Sequence, residues 1–174
     1  LAAVGPQMLE VAGEVGDGLL VHPFATPHFI ASEVLPAFER GIARAGAPRA
    51  ARAVSCQVIV ATGLDRKECE HNLRQARGQV AFYASTPAYR PVLDAHGWGD
   101  LQQRLNLLSK QGKWAEMGEL LSDELVNEVV VHGSPEEVGE RLRARCAGWA
   151  DRVSPVIYAG DLELRARLVR AIKG

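Results

Sequence analysis

Short apolar runs alternate along this chain with longer stretches whose apolar residues recur at helical spacing. Leu1-Ala2-Ala3-Val4 reads as the end of a buried strand. Gly5-Pro6 then turns the chain, and Pro6 suits the first position of a helix. Met8, Ala12 and Val15 follow at helical spacing beside Leu9, with Gly16 as the stop. Leu19-Leu20-Val21 is a second short apolar strand, ending at His22-Pro23. Thr26-Pro27 caps a long helix that puts Phe29, Ile30, Val34, Phe38 and Ile42 on one side; Pro36 should bend or split it, and Gly46 ends it. Ser55 to Ala61 is the strongest strand pattern, closed by Thr62-Gly63. Asp65 starts a helix running to about Tyr83, and Thr86-Pro87 starts a shorter one. Residues from about Asp100 to Val130 read as helical, broken near Gly112. Ser134-Pro135-Glu136-Glu137 carries three agreeing helix-start signals: a Ser cap, Pro at the first position, and Glu three residues after the Ser. That helix ends near Gly148. Val153 to Tyr158 is the last strand, and an amphipathic helix follows.

Strands alternating with longer helices predict a parallel α/β structure. Leu19–Val21, Ser55–Ala61 and Val153–Tyr158 are expected as parallel neighbours in one sheet, with Leu1–Val4 beside them. Crossovers of this length allow right-handed βαβ units. About four strands are half of what a closed (β/α)8 TIM barrel requires in roughly 250 residues. Half a barrel has one sheet face without its opposite wall and two unpaired edges. The apolar runs Leu19-Leu20-Val21 and Val58-Ile59-Val60 offer those edges no protection. A homo-oligomer, or an N-terminal half belonging to the same protein, is therefore expected to cover them.

Composition narrows the function classes. The chain has 174 residues, 47% hydrophobic and 24% charged, with a formal charge of −1, which is ordinary for one globular domain. Without a basic stripe, nucleic acid is not expected as a partner. No apolar run approaches the roughly 18 residues needed to span a bilayer, so no membrane partner is expected either. The first residues lack a basic lead-in and a starting Met; they are read as cut from something longer and not as a signal peptide. Cys56, Cys69 and Cys146 are odd in number and lack CxxC spacing, which predicts reduced thiols in a cytoplasmic protein. His22, His28, His71, His96 and His132 show no metal-ligand spacing, and no metal site is predicted.

Three places could carry chemistry. At Ala3-Val4-Gly5-Pro6-Gln7-Met8, a strand, a turn and a helix N-terminus follow in order. That geometry aims unpaired N–H groups and the positive end of a helix dipole at one point, where a phosphate can bind; the alternative is an ordinary βα turn. His22 lies just past a strand's C-terminal end, the ligand-facing side of an α/β barrel. It is either a hydrogen-bonding or proton-carrying group or a packed loop residue. Tyr83, Tyr89 and Arg90 flank the Thr86-Pro87 junction, with His96-Gly97-Trp98 behind. They line a pocket for a flat or apolar substrate or pack a helix corner. Gly13, Gly16 and Gly18 are in the wrong order for a dinucleotide motif. No nucleophile–base pair or paired carboxylates appear, so any chemistry comes from a cofactor or from residues elsewhere.

These residues resemble a known family. Gly5-Pro6-Gln7-Met8-Leu9-Glu10-Val11-Ala12-Gly13-Glu14-Val15-Gly16-Asp17-Gly18 is similar to a segment of luciferase-like monooxygenases and their deazaflavin-using relatives, with Gly16 where the pattern usually has Ala. Val80 to Leu93, with His96-Gly97-Trp98, resembles a run typical of members that use coenzyme F420. Gly133-Ser134-Pro135-Glu136-Glu137-Val138 is similar to the family's helix start. The resemblance implies a (β/α) barrel of which residues 1–174 form the C-terminal portion. It implies a cofactor phosphate held at Ala3, Val4, Gly5, Pro6, Gln7 and Met8. His22, Tyr83, Tyr89 and Arg90, read from their positions, are the candidate pocket for a small-molecule substrate. The implied reaction is hydride transfer between F420 and a small organic substrate. The alternatives are an FMN-dependent monooxygenase and a non-catalytic half-barrel serving binding or assembly. The family's usual catalytic residues belong to its first half, so no catalytic residue is assigned.

Overall fold

The computed structural model describes residues 1–158 and 160–174. Five strands form one all-parallel sheet: β1 (Ala2–Ala3), β2 (Gly18–Val21), β3 (Ala53–Thr62), β4 (Val130–Gly133) and β5 (Arg152–Ile157). The helices are α1 (Pro6–Val15), α2 (Pro27–Phe29), α3 (Leu35–Arg44), α4 (Arg66–Ser85), α5 (Arg90–Asp94), α6 (Gly99–Lys110), α7 (Trp114–Glu119), α8 (Asp123–Val129), α9 (Pro135–Cys146) and α10 (Leu162–Lys173). The four strands expected from sequence are parallel and adjoining. The difference is β4, which the helical reading through Val130 missed: α8 ends at Val129 and β4 begins at the next residue. No Gly or Pro separates them, so the only cue is the β-branched run Val129-Val130-Val131.

β3 is the hub. Ser55 and Cys56 pair with β2 on one edge and β5 on the other, while Ile59 and Val60 pair with β4 and β5. β2 and β4 therefore share one edge of β3 in succession, and β5 takes the opposite edge.

The register sorts side chains by face. Ala3, Val21, Cys56 and Val153 form one cross-strand row, on the face that α1 and α9 cover. Ala2, Leu20, Ser55 and Arg152 form the next row, on the opposite face. There Ala2, Leu20 and Arg152 are exposed and Ser55 is half-buried. The apolar runs are thus split by the pleat. Leu19 and Val21 go under the helices and Leu20 is left on the open face; Val58 and Val60 join the core under α9 and α10, and Ile59 joins the core shared with α4. The open face is more polar than the runs imply.

Local signals behave as their chemistry dictates. Asp65 caps α4 by accepting from Glu68 N–H at 2.8 Å. Ser134 and Glu137 form a reciprocal capping box at the start of α9. A π-helical stretch, Ile30–Val34, separates α2 from α3 just before Pro36. The wider turn accommodates a ring that cannot donate and that clashes with the preceding turn's carbonyl. Gly16 is extended, with φ −89°, so its role is space: a Cβ there would lie 2.7 Å from the Ala12 carbonyl oxygen. The three cysteines are free, with Cys56 and Cys146 buried. No described helix is long and apolar enough to cross a membrane.

Two glycines set the distance between α1 and α3. A Cβ on Gly13 would sit 2.1 Å from the Phe38 carbonyl oxygen, and one on Gly41 would sit 1.9 Å from that of Glu10. Backbone blocks both, so neither clash is relieved by a rotamer change. Gly41→Ala is expected to cost about 1–3 kcal/mol of stability, the usual range for overpacking. Denaturant unfolding checks it, and an unchanged midpoint would show that the helices can part freely.

Candidate functional site

The C-terminal ends of β1 and β2 open onto one cleft. Its volume is about 310 Å³, and Ala2, Ala3, Val4, Gly5, Met8, Leu20, His22, Gln57 and Tyr89 line it. Register explains the gathering. Val21 pairs with Cys56, so His22, one residue past the end of β2, stands level with Gln57 on β3. β1 pairs alongside through Ala3 and Val21, and its chain passes through Val4 and Gly5 into α1.

The α1 N-terminus has unused donors. Among the described residues, no protein oxygen accepts from the N–H groups of Gly5, Gln7 or Met8, and Gly5 supplies no side-chain cap. Gly5 has φ −77° and ψ 152°, a conformation open to any residue. Its glycine identity is therefore not a backbone requirement. A Cβ built on it meets nothing within 4 Å, although Gly5 lines the cleft. Space of that kind beside free N–H groups fits the close approach of an anionic group. Gln7 is exposed and Pro6 lines a neighbouring pocket with Val4 and Leu9, so of the six turn residues Ala3, Val4, Gly5 and Met8 face this cleft.

The aromatic residues converge on the same place. The His22 ring stacks on Tyr89 with centroids 4.5 Å apart and meets the edge of Tyr83 at 4.9 Å. Tyr83 and Tyr89 are themselves edge-on at 5.8 Å. The Phe24 N–H donates to His22 Nδ1 at 3.2 Å, which leaves the proton of the neutral ring on Nε2. Burial lowers the His22 pKa, so that neutral form prevails at pH 7. Burial and then the neighbouring Tyr83 raise the Tyr89 phenol. Arg90 does not join them: its Nε turns back to Asp94, 3.3 Å away on the same helix.

Two residues of this region escaped the sequence reading. Gln57 is a half-buried polar side chain on the open sheet face. Ser55 and Gln57, alternating with Val54, Cys56 and Val58, were the available signal for a polar inner face. Tyr158 follows β5 and is exposed, yet partial desolvation and then the nearby Tyr83 raise its phenol above the ordinary range. Its approach to Tyr83 crosses 75 positions of sequence and had no local cue.

Comparison with known proteins gives the setting. The sequence profile of the luciferase-like monooxygenase family matches residues 1–152. The chain belongs to this family. It is 47% identical over 163 residues to an uncharacterized protein of Mycobacterium tuberculosis, covering 94% of this chain and 48% of that one. It is 30% identical over 149 residues to the 5,10-methylenetetrahydromethanopterin reductase of Archaeoglobus fulgidus, covering 82% of this chain and 42% of the relative. The fold matches the coenzyme F420-dependent tetrahydromethanopterin reductase from Methanopyrus kandleri with a TM-score of 0.75 and 19% identity, over 98% of this chain and 48% of that one. An F420-dependent secondary alcohol dehydrogenase, solved with an F420–acetone adduct, matches with a TM-score of 0.64 and 16% identity, over 98% of this chain and 46% of that one. The chain thus spans about half the length of the relatives it matches, and its parallel sheet with flanking helices is a part of their barrel-type fold.

Two outcomes follow for the luciferase-like cleft. Gly5→Ser places a hydroxyl where it can accept from Gln7 or Met8 N–H. It should raise stability by a few tenths of a kcal/mol while weakening binding of a phosphate-bearing ligand; thermal unfolding and a binding titration check the pair, and unweakened binding would remove the turn from the site. His22 has a folded pKa below its unfolded value near 6.5. The unfolded chain therefore binds its proton first, so stability is full above about pH 6.5 and falls as pH drops toward the folded pKa. His132, also lowered, adds in the same direction. His22→Gln should flatten this acid limb in part, as read from unfolding midpoints between pH 7.5 and 5; an unaltered limb would mean that His22 is freely solvated.

Proposed function

We propose that the chain is the C-terminal portion of an oxidoreductase barrel that transfers a hydride between coenzyme F420 and a small organic substrate. The observation that carries this is the lining of the cleft. Free N–H groups and an unfilled glycine face it, and among the described residues its lining holds His22 and Tyr89 but no nucleophile and no carboxylate. Such a place can hold and orient a ligand but has no group able to carry a hydride, so the redox chemistry belongs to a bound group. A deazaflavin supplies that chemistry as a two-electron hydride carrier.

The chain's own residues then have definite tasks. The N–H groups of Gly5, Gln7 and Met8 hold the cofactor's phosphate at the start of α1. The neutral His22 presents its Nε2–H as a donor, and the Tyr89 ring fixes its plane by stacking. Gln57 supplies a hydrogen-bonding amide from the sheet floor. Tyr83, edge-on to Tyr89, forms an aromatic wall on the substrate side. The remaining strands come from the half of the relatives that this chain does not match, and they close the open face at Leu20, Ser55 and Arg152. The small-residue turn and the reductase relatives favour F420, whereas the family profile keeps an FMN monooxygenase as the second reading.

Parallel titration of the full-length protein with F420 and with FMN separates the two, read by quenching of each cofactor's own fluorescence. Saturable F420 binding that Gly5→Ser weakens is expected. Tight FMN binding with none of F420 would transfer the assignment to the monooxygenase reading. Binding of neither would leave a module without catalysis.

A further inference from the structure

A second pocket lies away from the cleft and shares no lining residue with it. Its volume is about 490 Å³, and it sits between β4, the α9 face and Pro27, with Asn127, Val130, Val131, His132, Arg141 and Arg145 on its walls. Arg141 and Arg145 are one helical turn apart and present their side chains to the same side of α9.

Neither arginine belongs to an ion pair among the described residues. Arg141 donates from Nη1 to the His132 carbonyl at 2.8 Å. Arg145 donates from Nη2 to the Ala25 carbonyl at 3.0 Å, and its Nε is buried with no hydrogen-bond partner. These carbonyl contacts orient both guanidinium groups without neutralising them. Desolvation lowers the Arg145 pKa; Cys56, Cys146 and Glu128 act on it only through space, with no ion pair, and Glu137 is already engaged with Ser134. His132 donates from Nε2 to Asn127 Oδ1 at 2.9 Å, which steadies the pocket's third side.

Arg145 is half-buried with no counter-ion among the described residues, and its Nε is shielded from water without an acceptor; both are costly. Protein interiors resolve such costs by pairing, and the described residues offer Arg145 Nε no partner. Arginine forks match the geometry of planar and tetrahedral oxyanions. We infer that this pocket binds the oxyanion group of a small organic ligand, a phosphate or a carboxylate, between Arg141 and Arg145. The ligand's apolar body rests on Pro27, Val130 and Val131. The site lies outside the hydride-transfer cleft and stands independently of the cofactor assignment.

The test uses the full-length protein carrying Gly5→Ser, so that anion binding at the start of α1 is weakened, and the Arg145→Met variant isolates the response at α9. Inorganic phosphate, propyl phosphate and butyrate are titrated in separate arms against chloride at matched ionic strength. Thermal unfolding and the His132 ring resonances in NMR are followed together. A saturable rise in Tm of several degrees, with movement of the His132 signals, is expected from phosphates or from the carboxylate, and the responding arm names the group. Arg145→Met should abolish the response and be at least as stable as the parent without anion, because it removes a half-buried charge and its unsatisfied Nε. Should that variant fold poorly, the exposed Arg141→Gln serves instead, with at least a tenfold loss of affinity expected. A response to none of the three probes beyond chloride overturns the inference, as does a full response retained in the variants.

Discussion

The register of β3 against its neighbours is the constraint on which the rest of the molecule depends. Ten residues long, this strand pairs with β2 at its start and β4 at its end along one edge, and with β5 along the other. A parallel ladder has a side-chain period of two, so a slip of one residue would exchange every side chain between faces. Val54, Cys56, Val58 and Val60 would leave their buried positions, and Ser55 and Gln57 would enter them. The burial of the first set and half-exposure of the second therefore fix one register. That register decides which residue of the β2 segment stands beside Gln57, and it is His22, just past the strand's end.

The cleft is a consequence of strand ends and not of a loop fold of its own. β2 stops at Val21 while β3 runs on to Thr62, leaving a step in the sheet. His22 occupies the step, and the segment around Tyr83 and Tyr89 closes over it from α4. α4 reaches this point because Asp65 caps its start and because Gln102 and Asn106 both donate to the Ser85 carbonyl near its end. Those two amides satisfy a carbonyl that has no intrahelical donor. They also hold the turn through Thr86 and Pro87 that delivers Tyr89 to the His22 ring. Helix termination and ring stacking are thus mechanically linked.

Much of this was legible in the sequence, and the limits have physical causes. Local chemistry was readable: the capping box at Ser134, the proline disturbance before Pro36, the Asp65 cap and the alternation of strand and helix. β4 was not, because helix and strand meet there without a breaker and share an apolar valine run. Pairing across distance was not readable either. Placing His22 with Tyr83 and Tyr89 needed only the guess that all three lie at one end of the sheet. Excluding Arg90 needed the knowledge that Asp94, one turn away on α5, would capture it. The role of Gly5 also changed on inspection: it is neither strained nor crowded, and what distinguishes it is the space that its missing side chain leaves.

Three glycines of the α1 segment separate structure from chemistry. Gly13 and Gly16 face backbone at distances that no side chain tolerates, so packing alone dictates them. Gly5 has neither excuse, and serine would be the better helix cap by ordinary propensity. A position that forgoes available stability without a structural reason is where function is expected to intrude on local preference. The free N–H groups of Gln7 and Met8 make the trade intelligible. A serine hydroxyl would satisfy one of them permanently, whereas glycine leaves the donors and the adjoining space to a ligand. The same logic applies at Arg145, whose buried Nε is also left without a protein acceptor. The two proposed sites would differ in what supplies the positive potential: backbone dipoles at the start of α1, guanidinium groups on α9. Backbone donors hold an anion without a titratable or mobile charge, which suits a cofactor that must stay oriented. Side-chain cations at a pocket's mouth, with Arg141 exposed, suit a ligand that comes and goes.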